Sequence, residues 1–341
     1  MSKLRTIFIV STGATVLFSG YELHQGNPKF YANVAMPVIQ RLTSAESAHR
    51  LGILSAKYGL YPRCSNEYER LQITVMGKKF RNPIGLAAGF DKHIEAPAGL
   101  LNFGFGFIEV GGVTPVPQPG NDKPRVFRLC EDGAIINRYG FNSEGIPAAV
   151  SRLERWSKQR QPDDVIAVNL GKNKTTTDAA SDYVKGVEAF GPLADFLVIN
   201  ISSPNTPGLR QLQGQEQLRG IVTAVCEARD KLVRADKPPI FIKIAPDLTD
   251  KDKIDIATVV TQKNCGVEGL IISNTTVSRP KTLMSPNKVE TGGLSGKPLK
   301  DMSTDLIREM YRLTSGRLTL IGVGGVFTGK NYTPRHIIML N

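Results

Sequence analysis

The sequence predicts one barrel of repeated strand-helix units, entered through a membrane anchor and two short amphipathic helices. After Arg70, short runs rich in Val, Ile and Phe alternate with helical, charged stretches, the pattern of strand-helix units around a parallel sheet. Several of these runs are almost continuously apolar, as strands buried on both faces are. No internal repeat, low-complexity tract or linker divides the region, which favours a single barrel over an open sheet.

At the N-terminus no charge interrupts Thr6 to Tyr21; Lys3 and Arg5 precede the stretch and Glu22 follows it. Although diluted by Ser11, Thr12, Gly13 and Ser19, it approaches the roughly 20 apolar residues of a spanning helix. The preferred reading is an anchor over residues 1–28. A cleaved signal ranks second, because no clean small-x-small site follows, and a buried core helix third, because the segment is apolar all round. From Phe30 to Tyr61, Phe30, Val34, Val38 and Leu42, then Leu51, Leu54 and Tyr58, recur at helical spacing. Thr43 with Glu46 reads as a capping box for the second helix. Residues 29–69 are thus expected to be a helical module lying on a bilayer.

Within residues 70–326 strands are expected at Pro83–Ala88, Phe105–Val110, Val165–Leu170, Asp195–Ile201, Ile240–Ile244, Gly269–Ser273 and Leu318–Val323. Barrels of this kind build their sites from the loops at the C-terminal ends of the strands. Here the first strand empties into Ala87-Ala88-Gly89-Phe90-Asp91-Lys92-His93, the third into Asn169-Leu170-Gly171-Lys172-Asn173, and the fourth into Asn200-Ile201-Ser202-Ser203-Pro204-Asn205-Thr206. The fifth carries Lys243, the sixth Ser273-Asn274-Thr275-Thr276, and the seventh Gly322-Val323-Gly324-Gly325. Singly these are weak signals: Lys243 could be a snorkelling side chain and the glycines ordinary turns. Together they describe one cavity. Its Asn amides suit a flat heterocycle, Lys92 and Lys243 suit anions, and Gly324 and Gly325 free backbone N–H groups for a phosphate.

Composition narrows the partners. With 341 residues, 43 Lys and Arg against 31 Asp and Glu give a formal charge of +12, favouring anionic ligands. The basic residues are dispersed, with no aromatic-interleaved patch, so nucleic acid is not expected. Cys64, Cys130, Cys226 and Cys265 lie far apart and the four histidines have no metal-ligating spacing, so no metal is expected either.

The strings AAGFDKH, INRYGFNSEG, VNLGKNK, VINISSPNTPGLR, IKIAPDL, SNTTVSRP, TGGLSGKPL and GVGGV closely resemble the dihydroorotate dehydrogenases of the membrane-bound, quinone-linked class, in that family's order. The resemblance runs from about Phe30 to Val326. It implies a flavin-binding (β/α)8 TIM-type barrel that oxidises dihydroorotate to orotate in pyrimidine synthesis, with FMN as hydride acceptor and ubiquinone as final oxidant. Ser203 would be the base that removes the C5 proton, with Thr206 and Phe141 in its relay. Lys92, Asn137, Asn142, Asn200, Asn205, Asn274 and Thr275 would hold the substrate, together with the run Arg138, Tyr139 and Gly140. Ala87, Ala88, Gly89, Gly112, Asn169, Asn200, Lys243, Ser273, Gly296, Gly324 and Gly325 would hold FMN. His49 and Arg128 would line the quinone tunnel, and the anchor would set the protein in the lipid of the inner mitochondrial membrane. The soluble relatives use Cys where Ser203 stands, which again favours quinone.

Two departures from the family pattern are visible. Val110-Gly111-Gly112-Val113-Thr114 lacks the hydroxyl residue usual after the second strand. After Val326 the resemblance ends, so residues 327–341 are read as a divergent tail and the barrel as lacking its eighth strand and last helix. That ending motivates a second reading, a catalytically silent, membrane-tethered form with a defective FMN site.

Overall fold

The structure, a computed structural model, describes residues 3–62, 69–263 and 265–327, and the backbone of 337–340. Eight parallel strands close into a barrel in chain order: Ile84–Leu86, Phe107–Val113, Ile166–Leu170, Phe196–Asn200, Ile240–Ile244, Gly269–Ile272, Thr319–Val323 and Ile337–Leu340. Each of the seven expected strands is present within a few residues of its predicted bounds. The second runs furthest past expectation, to Val113, because Gly111 and Gly112, beyond the expected end at Val110, continue the ladder beside Asn169 and Leu170.

The eighth strand corrects the expectation of an open barrel. Ile337–Leu340 pairs in parallel with the seventh strand, Ile321 opposite Ile337, and with the first, Ile338 opposite Ile84. A parallel return needs only about a dozen residues, which the chain between Val323 and Ile337 supplies. The first and seventh strands are therefore both paired, and the exposed edges behind the silent reading do not occur. Among the described residues no helix follows Lys300–Leu313.

Inside the barrel floor large and small residues alternate. Phe107, Phe196 and Phe241 stack edge to tilt with centroids 6.2 and 5.2 Å apart, and Phe80, from the hairpin Ile73–Val75 with Lys78–Phe80, closes the stack against Phe107 at 5.5 Å. Gly85 and Gly269 make the room: a Cβ would lie 2.3 Å from the Phe107 ring and 2.2 Å from that of Phe241. Outside, Ile, Val and Leu from the strands meet the apolar faces of Gly145–Ser157, Ala179–Phe190, Gln215–Asp230, Asp250–Val260 and Lys300–Leu313. The opposite rim carries an antiparallel sheet in which Ala134–Asn137 lies between Val126–Leu129 and Gly293–Gly296.

The N-terminal helix Lys3–Gln25 buries none of its residues against the body and is long and apolar enough to cross a membrane. The module beyond it runs through Pro28–Phe30, a π turn at Tyr31–Ala35, and Met36–Leu42, then turns into Ala45–Tyr58. The expected capping box is displaced by one residue. Ser44, not Thr43, is the N-cap, its hydroxyl accepting from Ser47 N, while Thr43 closes the preceding helix. With Ser44 as N-cap the third helical position is Ser47, so Glu46 is out of register as the reciprocal acceptor, and its carboxylate instead faces the Arg125 guanidinium at 2.8 Å. Val34, Val38, Leu42 and Leu51 stay exposed, giving the module an uncovered apolar side.

Candidate active site

The C-terminal ends of the strands converge on a chain of buried polar groups that begins with an acid. Glu109, in the second strand, is buried among apolar neighbours, where an isolated carboxylate is expensive. Three donors compensate: Lys243 Nζ at 2.9 Å, Asn169 Nδ2 at 2.6 Å and Ala88 N at 2.9 Å. Lys243 is thus an internal ion pair rather than a snorkelling side chain, with 4% of its surface exposed. From Asn169 the chain continues, Asn200 Nδ2 donating to Asn169 Oδ1 at 3.0 Å and Asn274 Nδ2 to Asn200 Oδ1 at 3.2 Å. Asn274 Nδ2 also reaches Ser202 Oγ at 3.0 Å, and Asn274 Oδ1 accepts from Thr275 N at 2.8 Å. Because each of these amide oxygens accepts at least one hydrogen bond, the amides have fixed orientations, which suits recognition of a planar heterocycle.

The loop after the fourth strand brings Ser203 beside this chain. Ser203 Oγ accepts from Asn205 N at 3.4 Å, and Asn205 Nδ2 donates to Asn137 Oδ1 at 3.3 Å. Arg210 ties the loop to two others: Nε donates to the Ser202 carbonyl at 3.1 Å, Nη1 to Asp247 at 2.8 Å and Nη2 to the Thr275 carbonyl at 2.8 Å. The buried Thr206 Oγ1, Thr275 Oγ1 and Asn142 Oδ1 have no protein partner. Buried polar atoms left so are rare, and three at one rim fit a polar ligand.

Lys92 enters from the first loop. Its Nζ lies 4.3 Å above the Tyr139 ring, and burial, aided by the Arg125 charge, lowers its pKa to about 8. Phe141, held at φ +52°, turns its ring toward Gly112 and Gly171. A Cβ on Gly112 would stand 2.8 Å from Phe141 Cε1 and 2.9 Å from Asn169 Oδ1. The place of the missing hydroxyl is therefore taken by the Phe141 ring and the Asn169 amide.

At the far side Gly324 and Gly325, with φ of +113° and +68°, pack on Leu299 and Lys300, where helix Lys300–Leu313 starts without a side-chain cap. Free N–H groups of a first turn and the helix dipole favour an anion there. Gly296 (φ +98°) lies at the same corner, and Ser273 donates its N–H to the Val323 carbonyl at 3.2 Å. Ala87 is buried and Gly89 N donates to the Gly111 carbonyl at 2.9 Å, holding the first loop on the second strand. A phosphate at this corner and a ring along the amide chain match the donors present.

Other expected residues lie at the margins. Arg138 turns to Glu290 at 2.7 Å and stacks over Phe127, and the Gly140 carbonyl accepts from Gln118 at 3.4 Å. His49, on helix Ala45–Tyr58, meets Tyr139 and Phe90. The Arg128 guanidinium donates to the carbonyls of Gln40 (3.1 Å), Thr43 (2.9 Å) and Ser44 (2.9 Å), closing the turn between the module's helices. Among the described residues no three His, Cys, Asp or Glu side chains gather as a metal would need.

Sequence reasoning missed Glu109, Arg125, Arg210 and Asp247. Glu109 carried a usable signal, the one acid inside an otherwise apolar strand, matching the one Lys inside another.

The family model described as "Dihydroorotate dehydrogenase" matches residues 70–333. The chain belongs to the dihydroorotate dehydrogenase family. Members of this family are oxidoreductases and flavoenzymes. The chain is 55% identical over 328 residues to the mitochondrial dihydroorotate dehydrogenase (quinone) of Mus musculus, covering 95% of this chain and 82% of that protein. It is 49% identical over 298 residues to the dihydroorotate dehydrogenase (quinone) of Rhodospirillum rubrum, covering 87% and 79%. The ligand-free DHODH of Eimeria tenella superposes with a TM-score of 0.82 at 46% identity, covering 84% of this chain and 85% of that one.

Proposed function

We propose that this chain oxidises (S)-dihydroorotate to orotate in pyrimidine biosynthesis, using FMN as hydride acceptor and a membrane quinone, ubiquinone in mitochondria, as final oxidant. The observation that carries the reading is the fixed chain Glu109–Asn169–Asn200–Asn274, ending at the Ser202–Ser203 loop with Lys92 across from it. Bound FMN would supply the hydride acceptor. Its phosphate fits the Gly296, Gly324 and Gly325 corner, and its ring fits beside Ala87, Ala88, Gly89, Asn169 and Lys243, whose positive charge favours electron density on the reduced ring.

The chain's own groups do the rest. Asn137, Asn142, Asn200, Asn205, Asn274 and Thr275 orient the substrate ring, and the Lys92 ammonium takes its anionic charge. Ser203 Oγ accepts the C5 proton while the C6 hydride leaves, so that the C5–C6 bond becomes a double bond. A serine is a weak base at its free pKa, so it depends on a dry site and on a carbon acid sharpened by the adjacent carbonyl. Thr206 Oγ1, free of other partners, passes the proton outward, and Phe141 keeps water from the path. The module of residues 29–69, with its uncovered apolar side, with His49 facing the barrel and with Arg128 of the barrel's rim sheet holding its turn, would admit quinone from the bilayer. Residues 1–28 would anchor the protein in the inner mitochondrial membrane, and the barrel, from residue 70 through the strand Ile337–Leu340, would form the catalytic unit.

Anaerobic addition of dihydroorotate to the purified yellow protein should bleach the flavin band, and a hydrophobic quinone should restore it. Purified protein without flavin absorbance, or with flavin that dihydroorotate leaves oxidised, would overturn the assignment.

A further inference from the structure

Helix Ala45–Tyr58 belongs to the module read above as the quinone entrance, yet its closest polar contacts are with the loop that carries Lys92. His49 Nε2 lies 2.7 Å from the Phe90 carbonyl oxygen, which can only accept, so Nε2 bears the proton. Nδ1 is then the acceptor, and the Tyr139 hydroxyl, 2.8 Å away, donates to it. Burial keeps the imidazole neutral, consistent with this tautomer. The same Tyr139 ring lies beneath the Lys92 ammonium at 4.3 Å. One imidazole thus fixes the backbone two residues before Lys92 and the ring on which Lys92 rests. The seat is tight: Gly52 faces the Phe90 ring, where a Cβ would lie 3.3 Å from Cζ, and a Cβ on Gly99 would lie 1.9 Å from the Ala56 carbonyl oxygen.

We propose that His49 is a positioning residue for Lys92, so that the seating of helix Ala45–Tyr58 sets the affinity of the barrel for its anionic substrate. The inference rests on the functional reading above, but it concerns the half-reaction that needs no quinone.

The test uses the full chain loaded with FMN, with orotate affinity read from the flavin spectrum and flavin reduction by dihydroorotate followed without quinone. Tyr139→Phe removes one oxygen and keeps the ring; His49→Ala removes the acceptor. Each should weaken orotate binding about three- to tenfold, the size of one buried hydrogen bond, while the limiting rate of flavin reduction changes less than about twofold. Because both act through the same bond, the double variant should bind orotate no more weakly than the weaker single. Arg50→Gln, which removes the half-exposed partner of Glu95 on the same loop while Lys57 stays within 3.6 Å of that carboxylate, should change affinity less than about twofold. Parental orotate affinity in both singles, or losses that multiply in the double, would overturn the proposal. A parent chain that takes up flavin but binds no orotate would overturn the functional reading, and this inference with it.

Discussion

Replacing Lys243 by Met should cost the fold more than any other single loss of charge in the barrel, because Glu109 stays behind. The Glu109 side chain has none of its surface exposed, and Lys243 Nζ at 2.9 Å supplies its only neighbouring positive charge among the ion pairs of the described residues. Asn169 Nδ2 and Ala88 N would remain as donors, so hydrogen bonds survive while the charge goes unbalanced. Breaking a buried pair by removing one partner costs about 3–5 kcal/mol, whereas replacing both members by neutral groups is often close to neutral. At about 2 °C per kcal/mol for a chain of this size, Lys243→Met should melt roughly 6–10 °C below the parent. Adding Glu109→Gln should return most of that loss, a coupling of about 2–4 kcal/mol in the double-mutant cycle. Thermal melting followed by circular dichroism, at saturating FMN and again after flavin removal, separates this effect from stabilisation by ligand. Equal melting temperatures for the single and double variants, both below the parent, would mean that Glu109 is not an unpaired charge in the single.

Ser203→Ala should retain flavin yet lower dihydroorotate oxidation by about 10²- to 10⁴-fold, the usual cost of a lost general base; near-parental turnover at every pH would remove Ser203 from the mechanism. Deleting residues 1–28 should release the protein from membranes with flavin reduction intact. Deletion through Tyr61 should also slow reoxidation by quinone and, since His49 goes with it, weaken orotate binding; a hydrophobic quinone that reacts unchanged would refute the tunnel role. Burial lowers the Lys92 pKa to about 8, so the ammonium that takes the anion is present below that pH and lost above it. Orotate affinity should therefore be flat toward pH 7 and fall by about tenfold per pH unit well above pH 8; a titration flat to pH 9.5 would show that Lys92 is not the anion's partner.

The barrel was legible because its strands are buried on both faces and so carry a nearly continuous apolar signal, interrupted in Ile240–Ile244 by Lys243 alone. Glycine-rich ends are read less well: Gly111 and Gly112 lie beyond the expected end at Val110 yet extend a strand, since period and propensity say nothing of a neighbour such as Asn169 across the ladder. The eighth strand escaped for a related reason. Its partners lie at the two ends of the barrel's order, at Ile84 and Ile321, and only closure brings them together. In the site, residues in the loop motifs were legible, whereas Glu109, Arg125 and Arg210 act across elements that no local pattern connects. Glu46 shows the same limit, being a capping residue by spacing and the partner of Arg125 by tertiary contact.

Three of the cations around the site differ in what balances them, and that difference predicts opposite signs for two similar substitutions. Lys243 has Glu109 and Arg125 has Glu46, at 2.9 and 2.8 Å, but among the described residues Lys92 forms no ion pair. Its ammonium rests on the Tyr139 face, and its fall from 10.5 to about 8 corresponds to roughly 3 kcal/mol acting against the charged form. The loss of the contact with Tyr139, worth about 0.5–2 kcal/mol, offsets part of that when the charge is removed. Lys92→Met should therefore melt no lower than the parent, and up to several degrees higher, while losing measurable orotate binding. Lys243→Met should melt far lower. Such a gain in stability at the expense of binding marks a charge kept unpaired for a ligand that brings the counter-charge with it. The comparison needs only melting curves and orotate titrations of the two variants side by side. A Lys92→Met protein as destabilised as Lys243→Met would show that Lys92 holds the fold together, and that the anion finds its positive charge elsewhere.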